Sequence, residues 1–205
     1  MKAVLVVCVF IIQFPINAQN IGTFEDIRDG QEYKTVTYKI RLKDPSEKSV
    51  TWMAENLNYA IAGSYYRGDS LSNAEIYGRL YTWPLAIKSC PAGWRLPSDE
   101  DWINLITLYG GLDSAGKHLK SESKLWVNEG NGTNKSLFSA LPYGTGDGKG
   151  TYPNFGSNAI FWSATEKDED YAWDWILFTR WEKILRSDGH KHTTANSVRC
   201  VKNKE

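Results

Sequence analysis

Apolar and polar positions alternate in separate blocks along the chain. Residues 33–42 alternate and are rich in Val, Thr and Tyr, which predicts a strand. Residues 49–53 resume the pattern beyond a polar turn holding Pro45, so the two predict a hairpin. The helical period appears at Trp102, Leu105, Ile106 and Tyr109, at spacings i, i+3, i+4 and i+7. Ser98 stands where an N-cap belongs, with Asp101 three residues on, a near-match to a capping box. Asp99, Glu100 and Asp101 place negative charge in the first turn, and Gly110-Gly111 stops the helix. Residues 84–89 predict a short helix with Pro84 at its first position, and 114–121 another helical turn. Residues 22–30 end in a turn at Asp29-Gly30, and 62–73 read as a loop.

Late in the chain the period returns to two. Residues 160–164 are apolar. Residues 171–179 alternate, with Trp173, Trp175 and Leu177 on one side and Asp174, Ile176 and Phe178 on the other. Residues 183–186 pair with that strand across Arg180-Trp181-Glu182, and 197–202 form a final strand. Between them, residues 126–161 are rich in Gly, Asn, Ser and Pro with little periodicity, and such a stretch is usually functional or mobile.

The start of the chain has a different character. Lys2 is followed by an almost wholly apolar run to Pro15, and Asn17-Ala18 precedes Gln19. This is the pattern of an export signal, expected to be cut after Ala18, and the run is too short to span a membrane comfortably. Cys8 lies inside it, too early to be lipid-modified at a cleavage site. The remainder, 19–205, is expected to be one domain with a full core. Lys and Arg number 24 against 24 Asp and Glu. That balance offers no basic excess to draw the chain to nucleic acid or an anionic membrane. Nine Trp and eleven Tyr read first as packing residues and second as an aromatic binding surface. Cys90 and Cys200 remain after cleavage, and an even pair in an exported chain argues for a disulfide. The alternative is two free thiols or one catalytic thiol.

Several longer pieces carry a resemblance. They are G-T-F-E-D-I-R-D-G-Q-E-Y-K-T-V from Gly22, T-W-M-A-E-N-L-N-Y from Thr51, G-R-L-Y-T-W from Gly78 and C-P-A-G-W-R-L-P-S-D-E-D-W from Cys90. G-T-N-K-S-L-F-S-A-L-P from Gly132, F-W-S-A-T-E from Phe161 and S-V-R-C-V-K from Ser197 follow. In this order they resemble the Fibrobacter succinogenes major paralogous domain family, known from exported proteins largely of Bacteroidetes and Fibrobacter. The segment 41–50 is longer than the family's usual turn. G-W-R-L-P-S-D-E-D-W is also similar to a piece of formylglycine-generating-enzyme-like proteins. That likeness implies an α+β, C-type-lectin-like fold: a small mixed or antiparallel sheet, two helices and a long loop-rich region. It implies too that a Cys90–Cys200 link would join the end of a first helix to the last strand.

The oxidase relatives use two cysteines near the C-terminus, where only Cys200 lies here. Iron-dependent relatives use several histidines, and this chain has His118, His190 and His192. His190 and His192 would share one side of a strand, a metal edge in the sharper reading and solvated side chains in the plainer one. Asp147, and Asp168-Glu169-Asp170, offer oxygen ligands or simply solvated turns. The calcium–sugar tripeptides of C-type lectins are absent from the sequence. We therefore expect no metal, no cofactor and no catalytic set. The expected role is a secreted or cell-surface binding module whose partner is a glycan or a surface protein. The alternatives are a formylglycine-generating-type oxidase and a structural piece of a surface assembly. Trp173 and Trp175 share a face with Leu177 and are expected in the core. Phe178, Arg180, Trp181 and Arg186 are the candidate ligand-binding residues, because Trp and Arg anchor interfaces and aromatic rings stack on sugars. The sequons at Asn131 and Asn134 carry little weight in a bacterial chain, and Asp69-Ser70-Leu71 and Asp113-Ser114-Ala115 resemble O-glycosylation acceptors.

Overall fold

A computed structural model describes residues 19–41 and 47–203. The expected export signal and most of the first hairpin's turn lie outside the described residues. The chain is α+β, with two sheets, four short α-helices and two 3₁₀ turns among the described residues. The first sheet is built from β1 (Asn20–Asp26), β2 (Gln31–Arg41), β3 (Glu47–Met53), β5 (Trp94–Arg95) and β10 (Val201–Lys202), in the order β1-β2-β3-β10-β5. The second contains β4 (Leu80–Thr82), β6 (Asn158–Glu166), β7 (Tyr171–Phe178), β8 (Ile184–His190) and β9 (Ala195–Ser197), in the order β4-β9-β6-β7-β8. The helices are α1 (Leu71–Tyr77), α2 (Trp83–Ser89), α3 (Asp99–Leu108) and α4 (Ala115–Leu119).

The first hairpin pairs Tyr38 with Val50 and Val36 with Trp52. It gains a third strand that alternation did not announce: β1 pairs along its whole length with β2. Four of its first five residues are exposed, so β1 shows no buried apolar stripe to read. The last strand divides in two. Ala195–Ser197 pairs in the second sheet and Val201–Lys202 in the first, so residues 198–200 cross from one sheet to the other. The expected loop 62–73 ends early, because α1 begins at Leu71. Only Ala74 and Tyr77 are buried on that single pair of turns, too few to mark a period.

Helix α3 is the centre of the main core. Ser98 and Asp101 form the capping box, each side chain bonding the other's backbone N–H. Trp102, Leu105 and Ile106 are buried with Val36, Tyr38 and Trp52 of the first sheet and Phe161, Trp175 and Leu177 of the second. The Trp102 ring lies 5.0 Å from Trp52, 5.6 Å from Phe161 and 5.7 Å from Phe138. A second core gathers Met53, Leu57, Tyr81, Trp94, Trp162 and Val198 around Cys200. Cys200 is bonded to Cys90, the residue that ends α2. The disulfide thus fastens α2 to the crossing between the sheets.

Candidate functional site

The turn joining β7 to β8 carries the candidate residues, and it is held from beneath. Lys120 caps the end of α4 and is 4% exposed. Its Nζ donates to the carbonyl oxygens of Phe178 (3.0 Å), Thr179 (3.3 Å) and Trp181 (3.1 Å). Burial pushes this ammonium down to about 8, and the three carbonyls hold it in place. The Lys117 backbone N–H donates to Glu182 O at 2.9 Å, and the two side chains form an ion pair. Gly116 makes this approach possible, since a Cβ there would sit 2.4 Å from Lys183 O. On the other side, Thr179 N–H donates to Ser157 O (2.7 Å) and its Oγ1 to Val127 O (2.6 Å).

A turn fixed by so many main-chain contacts can display side chains rigidly. Trp181 is 44% exposed, Arg180 is exposed and Phe178 is half-buried, 4.6 Å from the Trp181 ring. Together they wall a cleft of about 380 Å³, with Val127, Asn128, Ser157 and Asn158 opposite. Asn128 has φ of 52°, a left-handed conformation that Asn tolerates better than most residues. The long irregular stretch thus supplies one wall of the cleft. It is not loose at its middle: the backbone N–H groups of Thr133, Asn134 and Ser136 donate to the carbonyl oxygens of Lys117, Lys120 and His118 respectively.

Phe178, Arg180 and Trp181 come together, and Arg186 stands apart. Arg186 Nε donates to Asp99 Oδ2 at 2.7 Å, and its guanidinium lies 3.4 Å over the Trp173 ring. Asp99 also accepts from Trp175 Nε1 at 3.0 Å. Trp175 is buried, as its alternation predicts, whereas Trp173 is only half-buried. The expectation that Trp173 lies in the core is corrected here. Asp99, the first residue of α3, holds Trp175 and Arg186, and Trp173 is roofed by Arg186, with Lys167 also over its ring.

Other candidates resolve into structural roles. Asp147 accepts from the backbone N–H groups of Lys149 and Thr151, and Asp168 from those of Asp170 and Tyr171, so both close turns. His190 Nδ1 accepts from the His192 backbone N–H, and His118 Nδ1 meets Thr133 Oγ1 at 3.0 Å. Among the described residues no three His, Cys, Asp or Glu side chains converge on one point.

Three buried polar groups escaped sequence reasoning. Lys120 is the first. Arg199, 1% exposed, donates to Asn56 Oδ1 at 2.6 Å and Ser139 O at 3.1 Å, and burial pulls it down to about 9. It braces the sheet crossing against the irregular stretch. Asp174 is 4% exposed, and its Oδ2 accepts from Asn196 Nδ2 at 3.1 Å. The Oδ1 atoms of both residues have no hydrogen-bond partner among the described residues. The one available signal was Asp174 itself, an acid sharing a strand face with Ile176 and Phe178. Lys120 and Arg199 gave none, since their acceptors are backbone oxygens and one amide distant in sequence.

The sequence model of a family described as the Fibrobacter succinogenes major domain matches residues 48–202. No curated protein and no solved structure matches the chain.

Proposed function

We propose that this chain, which belongs to the Fibrobacter succinogenes major domain family, is an exported, non-catalytic binding module working at or outside the cell surface. Its ligand is a glycan or a surface protein, taken in the cleft beside Trp181. The observation that carries the reading is the Lys120 clamp beneath a half-exposed Trp181 and an exposed Arg180. Exposed aromatic and guanidinium groups are the usual anchors of binding surfaces, and fixing them beforehand lowers the entropy cost of association. The disulfide supports binding over the oxidase alternative, because it leaves neither Cys90 nor Cys200 as a free thiol. The same reading takes the two sheets and the Cys90–Cys200 link as the C-type-lectin-like arrangement expected from the sequence. Export is part of the proposal and rests on the apolar N-terminal run and the disulfide.

The test is a glycan array and a surface-protein pull-down with residues 19–205, run beside Trp181→Ala. The parent is expected to retain a ligand that the variant loses. Equal retention by both would remove the cleft from the account.

A further inference from the structure

We propose that the cleft beside Trp181 takes a carboxylate-bearing saccharide, with Arg180 as the residue that selects the acid. The inference rests on the binding reading above and adds the charge class of the ligand. Arg180 is the single charged residue among those lining the cleft. It is exposed, and no described carboxylate pairs with it. Glu182, the one acid in the turn, is occupied by Lys117. Glu129, beside Asn128, does not line the cleft. An unpaired guanidinium presents a planar fork that matches a carboxylate in two hydrogen bonds.

A second cation stands close by. Lys183 Nζ lies 4.4 Å from the Trp181 ring centroid. Lys183 does not line the cleft, but its charge beside Trp181 adds to the positive potential that Arg180 sets at the cleft. The rest of the lining is of another kind: Asn128, Ser157 and Asn158 bring polar amide and hydroxyl residues to the cleft, the Ser157 hydroxyl already donating to Asn154 O. Hydroxyls spread around a sugar ring suit such a wall, while the apolar C–H face of the ring suits the flat Trp181. An acidic peptide would answer the two cations equally well. Its hydrogen-bonding groups lie along a backbone, however, and it would leave the amide wall largely unused. A cleft of about 380 Å³ falls at the small-ligand end of binding sites, of which typical volumes run ~300–1,000 Å³.

The experiment titrates residues 19–205 with galacturonate, glucuronate and sialylated oligosaccharides, each beside its carboxyl-reduced neutral counterpart. A Glu-rich peptide is the third arm, and Arg180→Gln and Trp181→Ala are compared with the parent at low and high salt. At least one acidic sugar is expected to bind ten-fold or more tighter than its neutral counterpart. Arg180→Gln is expected to erase that difference while sparing the neutral affinity, and Trp181→Ala to weaken both. Discrimination that survives Arg180→Gln, or neutral sugars binding as well as acidic ones, overturns the inference and leaves the binding reading standing. Peptide binding lost in Trp181→Ala, with no sugar bound, does the same. Failure of all three acidic sugars overturns it too, whereas the binding reading is lost only if array and pull-down also fail. Melting temperatures of both variants, expected near that of the parent, separate these results from misfolding.

Discussion

Replacing Asp174 by Asn at pH 8 is expected to stabilise the protein, although Asp174 is buried and hydrogen-bonded. The reason is an unmatched set of acceptors. Asn196 Nδ2 donates to Asp174 Oδ2, and the remaining Oδ1 of each residue lacks a protein donor. Burial raises the Asp174 carboxyl, the Asn196 bond pulls it back in part, and the nearby Asp188 raises it further, to about 7. In the unfolded chain the group titrates near the ordinary value of 3.8. The folded state therefore holds a proton that the unfolded state has lost between about pH 4 and 7. Stability from this group is fully present below about pH 4 and is lost as pH rises through about 7, by about 1.4 kcal/mol per unit. Over that window the loss is about 4 kcal/mol, an upper figure for one buried group. Asn at 174 carries no charge, and its amide brings the donor that the protonated acid would supply. At about 2–4 °C per kcal/mol, the melting temperature at pH 8 should rise by on the order of 10 °C. The assay is thermal unfolding of parent and variant at steps from pH 4 to 8. The gap between them should open with pH, which cancels the titration of every other group. Parallel curves, or a variant less stable at pH 8, would refute the reasoning.

Further outcomes follow from the core and the clamp. Trp102→Ala should cost about 3–5 kcal/mol, because the ring is fully buried against Trp52, Phe138 and Phe161. Trp102→Phe should cost much less, since the indole N–H has no partner to lose; chemical denaturation of both measures the difference. Mass spectrometry of exported material should show Cys90 joined to Cys200, and reduction should lower stability by up to about 5 kcal/mol for a bridge spanning 110 residues. Lys120→Met removes the ammonium from three carbonyl oxygens, so ligand affinity and Trp181 fluorescence should change together. A variant with parental affinity would mean that the clamp does not shape the site.

What the sequence disclosed depended on whether a pattern was local. The α3 face, its capping box and the β2–β3 and β7–β8 hairpins are fixed by residues a few positions apart, and each was readable. Trp181 was readable as exposed because alternation breaks after Thr179 and Arg180 and Glu182 flank it. Strand β1 was not, because its residues bury too little to alternate. The division of the last strand was hidden for another reason: residues 198–200 are buried throughout, as a crossing between two sheets must be, so they look like one strand. The cleft was only half visible. One wall follows from the hairpin, whereas Val127, Asn128, Ser157 and Asn158 reach it through backbone bonds that leave no periodic trace. Arg186 and Trp181 were grouped because hairpin neighbours share a turn in sequence, and the fold sets them apart. Their side chains meet different partners, Asp99 and Trp173 for one and Phe178 and Lys183 for the other.

The central claim is that this turn binds and does not merely pack. Affinity for the identified ligand and melting temperature, measured together on Arg180→Ala, Trp181→Ala and the double variant, test it most directly. Each single change is expected to cost at least about 1–2 kcal/mol in binding, the scale of an interface anchor. Little change in stability is expected, because substitutions at exposed positions are usually within about 0.5 kcal/mol. A double variant that folds and binds its ligand as the parent does would contradict the claim and move the recognition face into the Gly- and Asn-rich stretch of residues 128–158.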